Sequence, residues 1–249
     1  MSEAAEPESE ILLPAYRANT AALIPAYLEE RFIGKVVEGA RQHVDTVLVV
    51  DDGSRDATSA QGSIAGAEVV RHAQNSGKGA ALKSGFRWML ARGIDYVICL
   101  DGDGQHDPTE IPVFMEEANS ERMPALIIGN RFSKPEGMPR LRYWTNRVMS
   151  GWISRLCGQE MPDTQCGYRL LRRDLLTEMD LPSSRYDYES EMIFVVGLAA
   201  KPMSHVPVKT IYGDEQSKIH PVKDTLRFYK LIRKYGPACR KAKRTRRNG

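Results

Sequence analysis

Thr46-Val-Leu-Val-Val50 followed by Asp51-Asp-Gly-Ser54 is the stretch from which the fold can be read. An unbroken run of β-branched and aliphatic residues suits a strand covered on both faces, as in a parallel sheet. The acids and glycine that follow mark its carboxyl end and a turn. Reading outward, Ala22–Ile24, Ala67–Arg71, Tyr96–Leu100 and Ala125–Gly129 are further candidate strands. Between Ala22–Ile24 and Thr46–Val50, Ile33, Val36, Val37 and Ala40 fall on one face of a helix. Ala81, Leu82, Phe86 and Met89 repeat that pattern over Lys78–Ala91. Strands about 25 residues apart with helices between them predict βαβ units and a doubly wound α/β fold. Beyond Gly129 the alternation loosens. Helices are expected over Leu141–Leu156, Tyr188–Ala200 and Val222–Lys234, a loop and short strand over Met161–Leu171, and a late strand over Pro202–Tyr212. The division that results is a flexible leader at 1–19, one domain at 20–235, and a basic tail at 236–249.

Composition narrows the class. The 249 residues are 42% hydrophobic and 27% charged, the balance of a globular chain with a real core. Met192–Ala200 is the longest apolar run, too short to span a bilayer. The start, with Glu3, Glu6, Glu8 and Glu10, reads as no secretory signal. Cys99, Cys157, Cys166 and Cys239 lack metal or disulfide spacing, which points to reduced thiols and a cytoplasmic protein. The net charge of +3 hides an asymmetry: residues 230–249 hold nine Lys or Arg and no acid, so the remainder is net acidic. Val222, Leu226, Tyr229 and Ile232 form an apolar helical stripe expected to pack on the domain, beside Lys223, Arg227, Lys230 and Lys234. The basic end suits an anionic membrane surface, at the inner face, better than nucleic acid, because no aromatic residues interleave its charges.

Ligands of open parallel sheets bind outside the carboxyl ends of the strands. Those ends read Pro25-Ala-Tyr-Leu-Glu29, Asp51-Asp-Gly-Ser54, Asp101-Gly-Asp-Gly-Gln-His106 and Gly129-Asn-Arg131. Asp101 and Asp103, separated by Gly102, offer two hard carboxylates that suit Mg²⁺ or Mn²⁺ carrying a diphosphate, with Gln105 as a further oxygen. A solvated acidic turn is the plainer alternative. Asp51 or Asp52 either caps the next helix or accepts bonds from a nucleoside. Asn75-Ser-Gly-Lys-Gly79 fails both as a Walker motif and as a dinucleotide fingerprint. It remains a glycine-rich helix start with Lys78 placed for an anion.

Together with Gly77-Lys-Gly-Ala80, Asp163-Thr-Gln-Cys-Gly-Tyr168, Tyr188-Glu-Ser-Glu191 and Tyr212-Gly-Asp-Glu-Gln-Ser-Lys218, these segments resemble family 2 glycosyltransferases of the GT-A fold. Within them the branch resembled is that of the polyprenyl-phosphate sugar transferases, the dolichyl-phosphate mannose synthase-like enzymes. The resemblance spans roughly residues 20–235. It implies a Rossmann-like, mostly parallel sheet flanked by helices. It also implies an inverting transfer of sugar from a GDP- or UDP-sugar to an acceptor, a polyprenyl phosphate. A sugar hydroxyl is the alternative acceptor, and a non-catalytic nucleotide-sugar-binding protein the alternative function. Pro25, Ala26, Tyr27, Glu29 and Asp52 would hold the nucleoside, with Lys78 and Gly102 beside the donor. Asp101, Asp103 and Gln105 would hold the cation. Arg131, Ser217 and Lys218 would face phosphates, and Glu189 and Glu191 would border the acceptor. Asp163 would be the base if the acceptor were a hydroxyl. Leu28 stands where the family often has Asn.

Overall fold

The computed structural model describes residues 19–133, 135, 137–179, 187–211 and 221–248. Its centre is a seven-stranded sheet built from β1 (Thr20–Ala26), β2 (Thr46–Asp51), β3 (Glu68–Arg71), β4 (Tyr96–Cys99), β5 (Leu126–Asn130), β6 (Arg169–Arg172) and β7 (Met203–Pro207). The order is β3-β2-β1-β4-β6-β5-β7, with β6 antiparallel to its neighbours β4 and β5 and every other pairing parallel. The mostly parallel α/β sheet expected from the sequence is thus present. Register sets the site: Ala26 lies opposite Asp51, and Leu23 opposite Cys99. The carboxyl ends of β1, β2 and β4 therefore open on one rim, beside the point where the strand order reverses.

The helices α1 (Ile33–Arg41) and α3 (Lys78–Ala91) bury the residues their spacing predicts: Ile33, Val36, Val37 and Ala40 on the first, Ala81, Leu82, Phe86 and Met89 on the second. Three helices went unread. In α2 (Thr58–Ile64) only Thr58 and Gly62 are buried, too little for a periodic signal. In α4 (Ile111–Ala118), however, Ile111, Phe114, Met115 and Ala118 carry the regular helical spacing. The third, α6 (Arg173–Glu178), is barely more than one turn. Next come α5 (Arg140–Cys157), α7 (Asp187–Leu198) and α8 (Pro221–Asn248). The last runs unbroken through the expected boundary at 235/236. Of the expected stripe, Ile232 packs against the core and Tyr229 is exposed, while the side chains of Val222 and Leu226 lie outside those described; Phe228, Leu231 and Cys239 are buried. All four cysteines are buried, and no disulfide joins them. Among the described residues no helix is long and apolar enough to cross a membrane.

Candidate active site

The ends of β1 and β2 are laced together. Asp52 N–H donates to the Ala26 carbonyl at 2.9 Å. Leu28 N–H donates to Ser54 Oγ, and Glu29 N–H to Thr58 Oγ1, each at 2.9 Å. Pro25 and Ala26 lie buried in β1, Tyr27 and Glu29 are half-buried, and the Glu29 carbonyl starts α1 by accepting from Ile33 N–H at 2.9 Å. Asp51, the last residue of β2, braces the turn that follows, accepting from Ser54 N–H at 2.8 Å and from Ser59 Oγ. Asp52 fastens the loop ahead of α3: it meets His72 Nδ1 at 2.7 Å and accepts from the Ser76 and Gly77 N–H groups at 2.9 and 2.7 Å. Its carboxylate thereby sets the backbone that carries Lys78.

Leu28 adopts φ +58°, a left-handed conformation that costs a leucine more than an asparagine. This side chain is 44% exposed, so substitution costs only part of the packing of a leucine. Leu28→Asn is expected to raise the unfolding free energy by about 1 kcal/mol, measured by urea denaturation.

Lys78, the first residue of α3, points its ammonium at two carboxylates: Asp101 Oδ1 at 2.5 Å and Glu189 Oε1 at 3.2 Å. Burial opposes the charge on Lys78, but the paired carboxylates outweigh it and hold the ammonium protonated far above its usual range. Burial likewise disfavours ionised Asp101, and Lys78 overcomes it, so that carboxyl lies well below the usual carboxylate range. Asp101 and Asp103 flank Gly102, while Gly104 at φ +75° turns the chain sharply behind them. Gln105 N–H donates to Asp103 Oδ1 at 3.0 Å, and the Gln105 carbonyl accepts from Ile211 N–H at 3.0 Å. His106 closes the turn. Its Nδ1 accepts from Asp101 N–H at 3.1 Å, and the ring stacks on Tyr168.

Burial, with Lys78 and Arg131 adding to it and Asp101 opposing, pushes His106 down to about 4. The unfolded histidine takes its proton near pH 6.5, whereas the folded one does not until about 4. Its contribution to stability is therefore lost as pH falls from about 6.5 to about 4, by on the order of 3 kcal/mol. Unfolding free energies measured across that window should fall less steeply in His106→Gln than in the parent.

Arg131 and Asp163 form a bidentate pair, Nε to Oδ2 at 2.6 Å and the second nitrogen to Oδ1 at 2.9 Å, with both side chains buried. Asp163 also accepts from the Arg131 and Gln165 N–H groups at 3.3 and 3.2 Å. Its oxygens are thus engaged in holding Arg131. Two residues of the same region were not singled out from the sequence. Arg169, almost wholly buried, donates to the carbonyls of Cys166, Thr164 and Glu189 at 2.7, 2.9 and 2.7 Å, tying the 163–168 loop to α7. The available signal was weak, an arginine at each end of the short strand Arg169-Leu-Leu-Arg172. Gly167 packs so closely on the Lys78–Asp101 pair that a Cβ there would lie 2.8 Å from Asp101 Oδ2 and 2.9 Å from Lys78 Nζ.

Glu189 and Glu191 part company. Glu189 joins the Lys78 cluster. Glu191 is buried against α8, where its Oε1 accepts from Tyr235 Oη at 2.6 Å and Lys234 Nζ at 2.9 Å. Ser217 and Lys218 lie outside the described residues. Among the described residues no three His, Cys, Asp or Glu side chains gather as a protein-only metal centre. The two carboxylates of the turn are hard oxygen donors of the kind Mg²⁺ or Mn²⁺ takes together with diphosphate oxygens and water, and a cation bound there would compete with the Lys78 ammonium for Asp101.

A parallel sheet with this antiparallel insertion and an acidic rim defines a GT-A architecture, that of nucleotide-diphospho-sugar transferases. Residues 21–179 match the model of Glycosyl transferase family 2, and the chain belongs to that family; it is a glycosyltransferase. Over 201 residues it is 32% identical to the undecaprenyl-phosphate mannosyltransferase of Micrococcus luteus, covering 75% of this chain and 81% of that one. Over 177 residues it is 34% identical to the polyprenol monophosphomannose synthase of Mycolicibacterium smegmatis, covering 65% and 64%. The crystal structure of glucosyl-3-phosphoglycerate synthase from Mycobacterium tuberculosis with Mn²⁺, UDP and phosphoglyceric acid has the same fold, at a TM-score of 0.70, 20% identity and coverage of 91% and 81%.

Proposed function

We propose that this glycosyltransferase moves a hexose from a GDP- or UDP-sugar to a polyprenyl phosphate, with inversion at the anomeric carbon and with Mg²⁺ or Mn²⁺, at the cytoplasmic face of a membrane. The observation that carries the reading is the acidic turn at the end of β4, where Asp101 sits against Lys78 and Asp103 lies two residues on. The relatives' names, undecaprenyl-phosphate mannosyltransferase and polyprenol monophosphomannose synthase, support the acceptor class.

Asp101 and Asp103 would hold the cation, with Gln105 beside them; the cation would neutralise the diphosphate as the glycosidic bond breaks. Tyr27 and Glu29 border the nucleoside, and the Asp52-ordered loop brings Lys78 to the donor. Arg131, fixed in orientation by Asp163, stabilises charge on a phosphate of donor or acceptor. A lipid phosphate is anionic near neutral pH and attacks the anomeric carbon without giving up a proton. The engagement of both Asp163 oxygens by Arg131 favours that acceptor over a sugar hydroxyl, which needs a base to take its proton. Ser217 and Lys218 are assigned to phosphate contact and Glu189 to the acceptor border.

The test is a screen of UDP- and GDP-sugars with Mn²⁺ and a polyprenyl phosphate, read by mass spectrometry. A polyprenyl-phosphate sugar as product supports the reading. Donor hydrolysis with no lipid product, or transfer only to sugar hydroxyls, overturns it.

A further inference from the structure

Helix α5 is apolar on two opposite sides. Its inner side buries Ser150, Ile153 and Cys157. Its outer side carries Leu141, Trp144, Val148 and Trp152, which are 82%, 65%, 55% and 46% exposed. These four recur at intervals of three, four and four, so they make one continuous stripe. A helix at a protein surface ordinarily turns polar side chains outward, and a contiguous exposed apolar stripe marks a surface that meets something. The stripe extends onto α8: Trp152 and Tyr229 make an edge-to-face contact at 6.1 Å, and Tyr229 is itself exposed. Trp144, Val148, Trp152, Phe228 and Tyr229 line a shallow groove between the two helices.

Charge selects the partner. Helix α5 contains Arg140, Arg142, Arg147 and Arg155 and no acid. On α8, Lys230, Arg233, Arg240, Lys241, Lys243 and Arg244 are exposed, and Asp224 is the single acid of the helix. A second copy of the chain would set these cations against one another across a two-fold interface. An anionic bilayer answers both features, because tryptophan settles at the lipid–water boundary and arginine and lysine meet the headgroups.

We infer that the outer face of α5, continued by the exposed flank of α8, is a docking surface for an anionic bilayer. Its use in catalysis rests on the lipid-phosphate reading above. The same helix joins this surface to the reaction site. On its inner side Ser150 Oγ accepts from Thr164 N–H at 2.9 Å, one residue from Asp163. Near its start Tyr143 packs edge-on against Phe132, at 5.1 Å, next to Arg131. Docking the outer side of α5 on a membrane therefore places the Arg131–Asp163 pair on the other side of the same helix, about one helix diameter from the bilayer surface.

The experiment uses the full chain with Trp88→Phe, which leaves Trp144 and Trp152 as the fluorophores among its three tryptophans. It is mixed with vesicles of phosphatidylglycerol and phosphatidylcholine bearing brominated acyl chains, and with phosphatidylcholine vesicles alone. The expected result is a blue shift and bromine quenching with the anionic vesicles, much weaker with the neutral ones. In the otherwise native chain, Trp144→Ser with Trp152→Ser should reduce co-sedimentation with anionic vesicles about tenfold or more at unchanged thermal midpoint. Binding without quenching would overturn the inference, since the tail alone would then adsorb. So would equal sedimentation of the double variant, or lipid-free self-association that already shifts the emission. Docking without sugar transfer to any lipid phosphate would uphold this surface and remove the proposed acceptor. Transfer to a dispersed short-chain polyprenyl phosphate without docking would do the reverse.

Discussion

Asp163→Ala is expected to lower the unfolding free energy by about 3–5 kcal/mol, because it removes the bidentate counter-charge of the buried Arg131 guanidinium. The two side chains are 5% and 0% exposed and meet through two parallel hydrogen bonds, so solvent screens the pair little. The contrast within the same protein is the Arg172–Asp174 pair, also bidentate but with Asp174 43% exposed. Solvent screens that pair, and Asp174→Ala is expected to cost no more than about 1 kcal/mol. Urea unfolding of the two variants checks both numbers. Asp163→Asn, which retains one acceptor oxygen, should fall between Asp163→Ala and the parent. Equal destabilisation by Asp163→Ala and Asp174→Ala would mean that Arg131 finds another partner.

The second large effect falls on catalysis. Asp103→Asn is expected to slow sugar transfer by about a thousandfold, the scale of removing one group aimed at charge developed in the transition state. Its stability should stay within about 0.5 kcal/mol of the parent, because asparagine keeps an acceptor for the Gln105 N–H. Steady-state transfer rates and thermal unfolding on the same preparation separate the two readouts. A variant that transfers at the parent rate would remove Asp103 from the reaction.

The parallel part of the sheet was readable because it is local: each strand is a short apolar run, and each ends in a turn whose residues are themselves informative. The position of β6 was not. A short strand after a loop carries no mark of its partners, and pairing between β4 and β5 joins segments far apart in sequence. That insertion is what brings Asp163 to Arg131 and Gly167 to Asp101, so the two meetings at the heart of the site depend on the least legible element. Glu189 and Glu191, grouped together from the sequence, could have been separated there. Residues two apart on a helix do not share a face, and one meets Lys78 while the other meets Lys234. On α8 the buried residues include Phe228 and Leu231, while Tyr235 and the half-exposed Lys234 reach the buried Glu191. Leu28 was visible as an unusual residue; only its backbone angle explains why asparagine suits the position.

The central claim is that the two acids around Gly102 bind a divalent cation together with a nucleoside diphosphate. Electron paramagnetic resonance of Mn²⁺, titrated with the protein in the presence of UDP or GDP, measures this without any acceptor or turnover. The account predicts that the free Mn²⁺ signal disappears with the parent protein and persists with the Asp101→Asn, Asp103→Asn double variant. Equal loss of signal with parent and variant would contradict it.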